Sequence, residues 1–319
     1  MTMLHTGSEE ATASPADETA VLPVVPSLES APTRTRRLAA SWSVGTVAVT
    51  VLGALLLGFV ADVTVLGGLR HDHDQRIAFQ RLRADLANAV APVGALDSSG
   101  HLYPAGTPVA KLDVPAIGLD EVVEEGTTAQ TLISGPGHRR DTVLPGQIGT
   151  SVIMGRHTGF GGPFGKLSKL KVGDLITAVT GQGTHTYKVV GFRSDAYPPK
   201  PLAAGAGRLT LVTASDTSAL VPNGTLSVDA DLVSPAQPAP PRALAIGGIP
   251  STEKALAGDA SAWVRLVFWL QGLLLAAVAF AVARHRWGKW HAWIAGAPLI
   301  LFVCVEAGNQ AAQLLPNLT

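Results

Sequence analysis

Three long apolar runs and one stretch of short alternating runs divide the chain. From Trp42 to Leu66 there is no Lys or Arg and a single acid, Asp62, enough for the roughly 20 residues that a helix needs to cross a bilayer. A second run extends from Trp263 to Ala283 with Arg265 near one end, where a long basic side chain can reach the headgroups. The third, Ala292 to Ala307, either continues through Gln310 to Leu315 or crosses incompletely. Between Ala105 and Val233 short runs of Val, Ile, Leu and Thr alternate with Gly, Pro and Asp, the spacing of an all-β barrel or sandwich. Strands are predicted at Ala110–Val114, Glu121–Glu124, Ser151–Met154, Leu175–Val179, Thr186–Arg193, Leu209–Thr213 and Leu226–Leu232, with short helical turns at Leu132–Ser134 and Phe164–Leu170. Ile77, Phe79, Leu82, Leu86 and Val90 have partial helical spacing, which predicts a stalk helix leaving the membrane.

The predicted organisation is a disordered cytoplasmic tail (1–40), a transmembrane helix (41–69), a stalk helix and linker (70–104), the β domain (105–233), and a Pro/Ala/Gly-rich extended linker (234–262). A second transmembrane helix (263–283), a basic loop (284–291), a third helix (292–315) and a short tail (316–319) follow. Arg34, Arg36 and Arg37 precede the first span, and Arg284, Arg286 and Lys289, with His285 and His291, lie between the second and third. Basic flanks stay cytoplasmic, so both groups agree on a multi-pass chain with its N-terminus inside and residues from about 67 to 262 outside. Trp263, Trp287, Trp290 and Trp293 suit interfacial belts. A cleaved signal peptide is disfavoured because about 40 mostly polar residues precede the first apolar core.

The chain has 319 residues, 47% of them hydrophobic, and its 24 basic and 24 acidic residues balance; no basic face for nucleic acid is evident. The single cysteine, Cys304, falls in the third apolar run, which excludes an intrachain disulfide and reads as a small hydrophobe. His71, Asp72, His73 and Asp74 are metal-ligand types, but side chains two apart do not share a helix face. A solvated charged helix start is the expectation, with no metal or cofactor.

Inside the β region, Ile117-Gly118-Leu119-Asp120, Gly135-Pro136-Gly137-His138, Leu144-Pro145-Gly146, and Gly161-Gly162-Pro163-Phe164-Gly165-Lys166-Leu167 follow in order. Leu170-Lys171-Val172-Gly173-Asp174, Tyr187-Lys188-Val189-Val190 and Leu209-Thr210-Leu211-Val212-Thr213-Ala214 complete the series. Over about residues 110–233 the chain resembles the actinobacterial class E-like sortases. The resemblance implies a mainly β fold, a closed sortase-type barrel with short helices, to which the three predicted transmembrane helices are added. It also implies an activity: sortases cut a sorting signal in a secreted protein and pass its carboxyl end to an amine, through a thioester on cysteine flanked by histidine and arginine.

All three of those positions are altered here. The cysteine position falls on Ala214, whose methyl group has no lone pair for attack. The Gly-His-Arg phrase reads Gly155-Arg156-His157, which puts Arg156 in the histidine's place, and the arginine position falls on Thr225. Adjacent side chains on an extended backbone face opposite ways, so His157 should look away from the groove if Arg156 looks into it. The resemblance thus implies a peptide groove formed by Arg156, His157, Thr213, Ala214 and Thr225. Three readings follow. One is a pseudo-sortase that binds or scaffolds a cell-envelope or secreted protein or peptide without cutting it. The second is a transpeptidase or peptidase using Ser215 as nucleophile, His157 as base and Asp216 to orient it. The third is a scaffold acting through its transmembrane helices. His138 with Arg139 and Arg140 is read as a structural loop, and Glu306 as an outer-interface group. Asn223-Gly224-Thr225 and Asn317-Leu318-Thr319 match glycosylation sequons that also arise by chance. Leu315-Pro316-Asn317-Leu318-Thr319 faintly resembles a sorting signal without the apolar segment and basic tail that follow one, and is read as coincidence.

Overall fold

The computed structural model describes residues 66–194, 197–215, 222, 224–287 and 289–319. The tail 1–40, the first apolar run to residue 65, Asp216 and Asn223 lie outside the described residues, as do the side chains of Arg284, His285, Trp287, Lys289, Trp290 and Trp293.

Eight strands form the core: β1 (Pro108–Val114), β2 (Leu119–Glu125), β3 (Gly137–His138), β4 (Gly149–Met154), β5 (Leu175–Thr180), β6 (Gly183–Ser194), β7 (Gly207–Ala214) and β8 (Thr225–Leu232). They close into a barrel in the order β1-β2-β3-β4-β7-β8-β6-β5. The β2–β3 and β4–β7 pairs are parallel and the others antiparallel. Closure leaves no open sheet edge, the device by which β proteins avoid edge pairing. Period-two alternation fills the interior: Leu112, Ile153, Ile176, Tyr187, Leu209, Leu211, Val228 and Ala230 pack with Phe164 and Leu167 in one buried cluster. Seven of the strands overlap the predicted ones. β3 was not predicted, because two residues are too short to show a period.

Helix α1 (Gly67–Ala87) is not a free-standing stalk. Ala78 and Leu82 pack on Val122 of β2. The Gln75 carboxamide serves as a strand partner: Val122 N–H donates to its Oε1 (2.7 Å), while its Nε2 donates to the carbonyl oxygens of Val122 (3.2 Å) and Ser134 (3.1 Å). His71 is also buried rather than solvated, bonded to Glu121 at 3.0 Å. A short helix, α2 (Thr131–Ser134), covers the outside of the barrel wall.

The segment 234–262 was expected as an extended linker and instead lies against the barrel. Ile148 N–H donates to Gln237 O, and Gln237 N–H donates to Gly146 O. Gly247 N–H donates to Asp141 Oδ2 (2.7 Å), and the buried Glu253 meets Arg140 (3.6 Å). Proline removes donors, but the remaining polar groups suffice to hold the strap. It leads into α3 (Ala262–Trp287) and α4 (Lys289–Leu314), which form an antiparallel hairpin. Among the described residues two helical windows are long and apolar enough to cross a membrane, Ala262–Phe280 and Ile294–Leu314, with mean hydropathies of 1.8 and 1.4. Phe268, Leu274, Leu275, Ile294 and Leu301 present their side chains outward. Two of the three expected spans are thus seen as helices; the first lies outside the described residues.

Candidate functional site

Strand parity decides what the altered positions can reach. On β7, Leu209 and Leu211 belong to the barrel interior, whereas Val212 and Ala214 belong to a second cluster outside the wall, with Val152 and Met154 of β4 and Leu132 of α2. Thr225 is the register partner of Ala214 across the β7–β8 ladder, and directly opposed residues share a face. Thr213 is on the other face of β7, its hydroxyl donating to Gly155 O at 2.9 Å. Ser215 extends the ladder by donating its N–H to Gly224 O, which by alternation gives it the face of Thr213 and Leu211. Ala214 and Ser215 therefore do not share one cleft wall.

The outer cluster contains a residue from the far end of the sequence. Leu318 is fully buried among Leu132, Val152, Met154, Val212 and Ala214. Its carbonyl accepts from His157 N–H at 2.8 Å. Arg156 Nη1 donates to Thr319 O at 2.9 Å and Nη2 to Ala129 O at 3.3 Å. The Asn317 carboxamide donates to the carbonyl oxygens of Thr127 and Lys254, both at 2.9 Å. A turn closes the segment, with Thr319 N–H and Oγ1 both donating to Pro316 O. The hairpin delivers this segment: Asp259 N–H donates to Gln313 O, and Gln313 Nε2 donates to Gln130 Oε1 at 2.9 Å.

Arg156 is the most unusual side chain of the site. It is only 1% exposed, and burial pushes its guanidinium down to about 10, because a low-dielectric surrounding disfavours the charged form. Its partners are the main-chain oxygens of Thr319 and Ala129 and the face of Phe160, 5.2 Å away, while its buried Nε has no hydrogen-bond partner among the described residues. Phe160 has φ 43°, a conformation that costs a non-glycine residue roughly 1–2 kcal/mol and here keeps an aromatic face against the cation.

The other polar groups singled out in the sequence have structural partners. His138 lies on β3 rather than in a loop; Nδ1 contacts Glu125 Oε2 and Nε2 contacts Val143 O, each at 2.9 Å. Burial lowers its pKa, but the Glu125 carboxylate, the Val143 carbonyl and the Asp141 charge together outweigh burial and the net shift is upward. Arg139 makes a two-pronged pair with Asp141 (2.6 and 2.8 Å), and Arg140 faces Glu253. Asp141 and Arg140 in turn pin the 234–262 strap through Gly247 and Glu253. No cluster of three metal-ligand side chains occurs among the described residues.

The eight strands close into one barrel, and residues 112–228 within it match the family model of the sortase domain. The barrel is a sortase domain. Solved structures similar to the chain include a Clostridium perfringens sortase D5 transpeptidase, with 20% identity, 51% of this chain and 99% of that one covered, and a TM-score of 0.42. Sortase C-1 from Actinomyces oris has 27% identity over 40% of this chain and 75% of its own, with a TM-score of 0.36. Sortase E from Streptomyces avermitilis has 26% identity over 48% and 100%, with a TM-score of 0.36. No curated protein matches the chain.

Proposed function

We propose that this is a membrane-anchored pseudo-sortase, whose extracytoplasmic sortase domain binds or scaffolds a cell-envelope or secreted protein through a peptide cleft and does not cut it. The observation that carries this reading is Ala214: the position that the family resemblance assigns to the nucleophile is a buried methyl group in an apolar wall. Binding and bond-breaking are separate demands on a site, so an apolar pocket with a buried cation can still hold a peptide. Arg156 in the histidine's place offers no base near neutral pH, since even a guanidinium pushed down to about 10 stays protonated there. Thr225 brings a neutral hydroxyl where the family has a charge; loss of one oxyanion donor typically costs on the order of a hundredfold or more in rate.

Anchoring rests on the α3–α4 hairpin together with the first apolar run. The end of α4 meets Gln130 beside the barrel and the start of α3 is bonded to that same end through Gln313, which sends the basic loop 284–291 to the far end of the hairpin. A barrel outside and a basic loop inside satisfy the charge rule for short loops. For the rival enzyme, Ser215 would have to act from the opposite face of β7 to Ala214. The test is incubation of the full chain, in lipid nanodiscs, with sorting-signal peptides carrying a donor–quencher pair. Intact peptide with saturable binding is expected; turnover that disappears in Ser215→Ala would establish the serine enzyme instead.

A further inference from the structure

Cleft, pocket and segment together define an occupant. The Leu318 side chain fills the apolar pocket of Leu132, Val152, Met154, Val212 and Ala214. Two backbone carbonyls of the same segment take the His157 N–H and the Arg156 guanidinium. Asn317 reads the two carbonyls at the rim. One apolar anchor in a dry pocket, backbone hydrogen bonds on either side and a carboxamide at the edge is how a peptide ligand is held. We propose that Leu315–Thr319 is the resident ligand of this cleft, a peptide held in cis by the hairpin that must leave before a peptide of similar chemistry enters in trans. The inference rests on reading the cleft as a peptide site.

The physics of tethering makes the segment an effective plug. A ligand joined by a short connection competes at an effective concentration on the order of millimolar. Against a site of about 10 μM intrinsic affinity, that lowers the apparent affinity of a trans peptide roughly a hundredfold. The segment would yield to a partner that is itself concentrated at the membrane surface, or that disturbs the hairpin. The chemistry required of that partner is a Leu-sized apolar side chain for the pocket and an adjacent backbone carbonyl for Arg156, whose buried Nε–H remains available for a further acceptor.

The probe is a fluorescein-labelled synthetic peptide with the sequence of residues 313–319, added to the full chain in nanodiscs and followed by anisotropy. Deletion of residues 315–319, and separately Leu318→Asp, should tighten binding by at least about tenfold. Binding no tighter in either variant, with melting curves that show a folded barrel, overturns the inference. Should both variants fail to fold, the thiol of an Ala214→Cys, Cys304→Ser chain decides. Maleimide reaction slowed at least about tenfold relative to the same chain in denaturant is expected, because Leu318 covers that position. A rate equal to the denatured one overturns the plug. Cleavage of the probe by the deletion variant would refute the non-cutting reading while leaving self-occupancy intact. Tenfold tighter binding without cleavage supports both.

Discussion

The guanidinium of Arg156 donates a 2.9 Å hydrogen bond to the main-chain oxygen of Thr319, across 163 positions of sequence. That bond joins the position where the family resemblance places a histidine to a segment returned by a hairpin of two apolar helices. Arg156→Ala removes both of its carbonyl bonds and leaves the Thr319 and Ala129 oxygens without the cation. Hydrogen bonds to a charged group are worth about 1.5–3 kcal/mol each, and the relief of burying the cation offsets part of that loss. The expected outcome is faster amide exchange at His157 and Asn317, with the barrel strands unchanged, measured by hydrogen–deuterium exchange. Equal exchange in both proteins would show that Arg156 does not hold the segment.

Ala214→Cys restores a thiol without restoring chemistry. No imidazole replaces Arg156, and Thr225 supplies no charge, so no cleavage of a sorting peptide is expected from the single variant. Ala214→Leu, by contrast, overfills the pocket that already holds Leu318, which costs about 1–3 kcal/mol. A lower melting temperature for Ala214→Leu than for the unaltered chain, measured by thermal denaturation, would confirm the packed wall.

Glu124 provides a pH test. Burial, with a smaller contribution from Asp74 and partial relief from Arg81 and His71, raises its pKa from 4.5 to about 7. Below 4.5 the carboxyl is protonated in both folded and unfolded chains and contributes nothing. As pH rises toward 7 the unfolded form ionises first and stability falls, by about 3 kcal/mol at completion. Glu124→Gln should therefore melt higher than the unaltered chain at pH 8 and equally at pH 4. Identical melting of the two proteins at both values would contradict the buried state of this carboxyl.

Gly296 faces the Phe280 ring, and a Cβ built there would collide with a ring carbon. Gly296→Leu should therefore prise α3 from α4 and, through Gln313, loosen the segment seated at Ala214. The check is exchange at His157 N–H, more than 130 residues away in sequence, which should quicken as it does in Arg156→Ala.

The sequence was most legible where a period repeats. Seven strands showed themselves through alternation. The third apolar run was harder to bound. It ended in hydropathy at Ala307, yet the helix continues to Leu314 because its last polar residues bond to other parts of the fold, Asn309 to Arg70 and Gln313 to Gln130. Polar residues there mark docking rather than the end of a helix. The cleft's occupant was least legible. Leu315-Pro316-Asn317-Leu318-Thr319 had a suggestive composition, but a contact between residues 156 and 319 leaves no periodic trace in one sequence. The resemblance put Arg156 in the groove, but its near-complete burial was similarly hidden, since the segment that covers it comes from 163 positions away.

The proposed pseudo-sortase binds a sorting peptide without forming an acyl-enzyme. Intact-protein mass spectrometry of the full chain and of the 315–319 deletion, after incubation with excess sorting peptide and quenching in acid, tests it most directly. Unchanged protein masses and intact peptide are expected in both samples. A mass increase equal to the peptide's acyl portion, mapped to Ser215 and absent in Ser215→Ala, would contradict it.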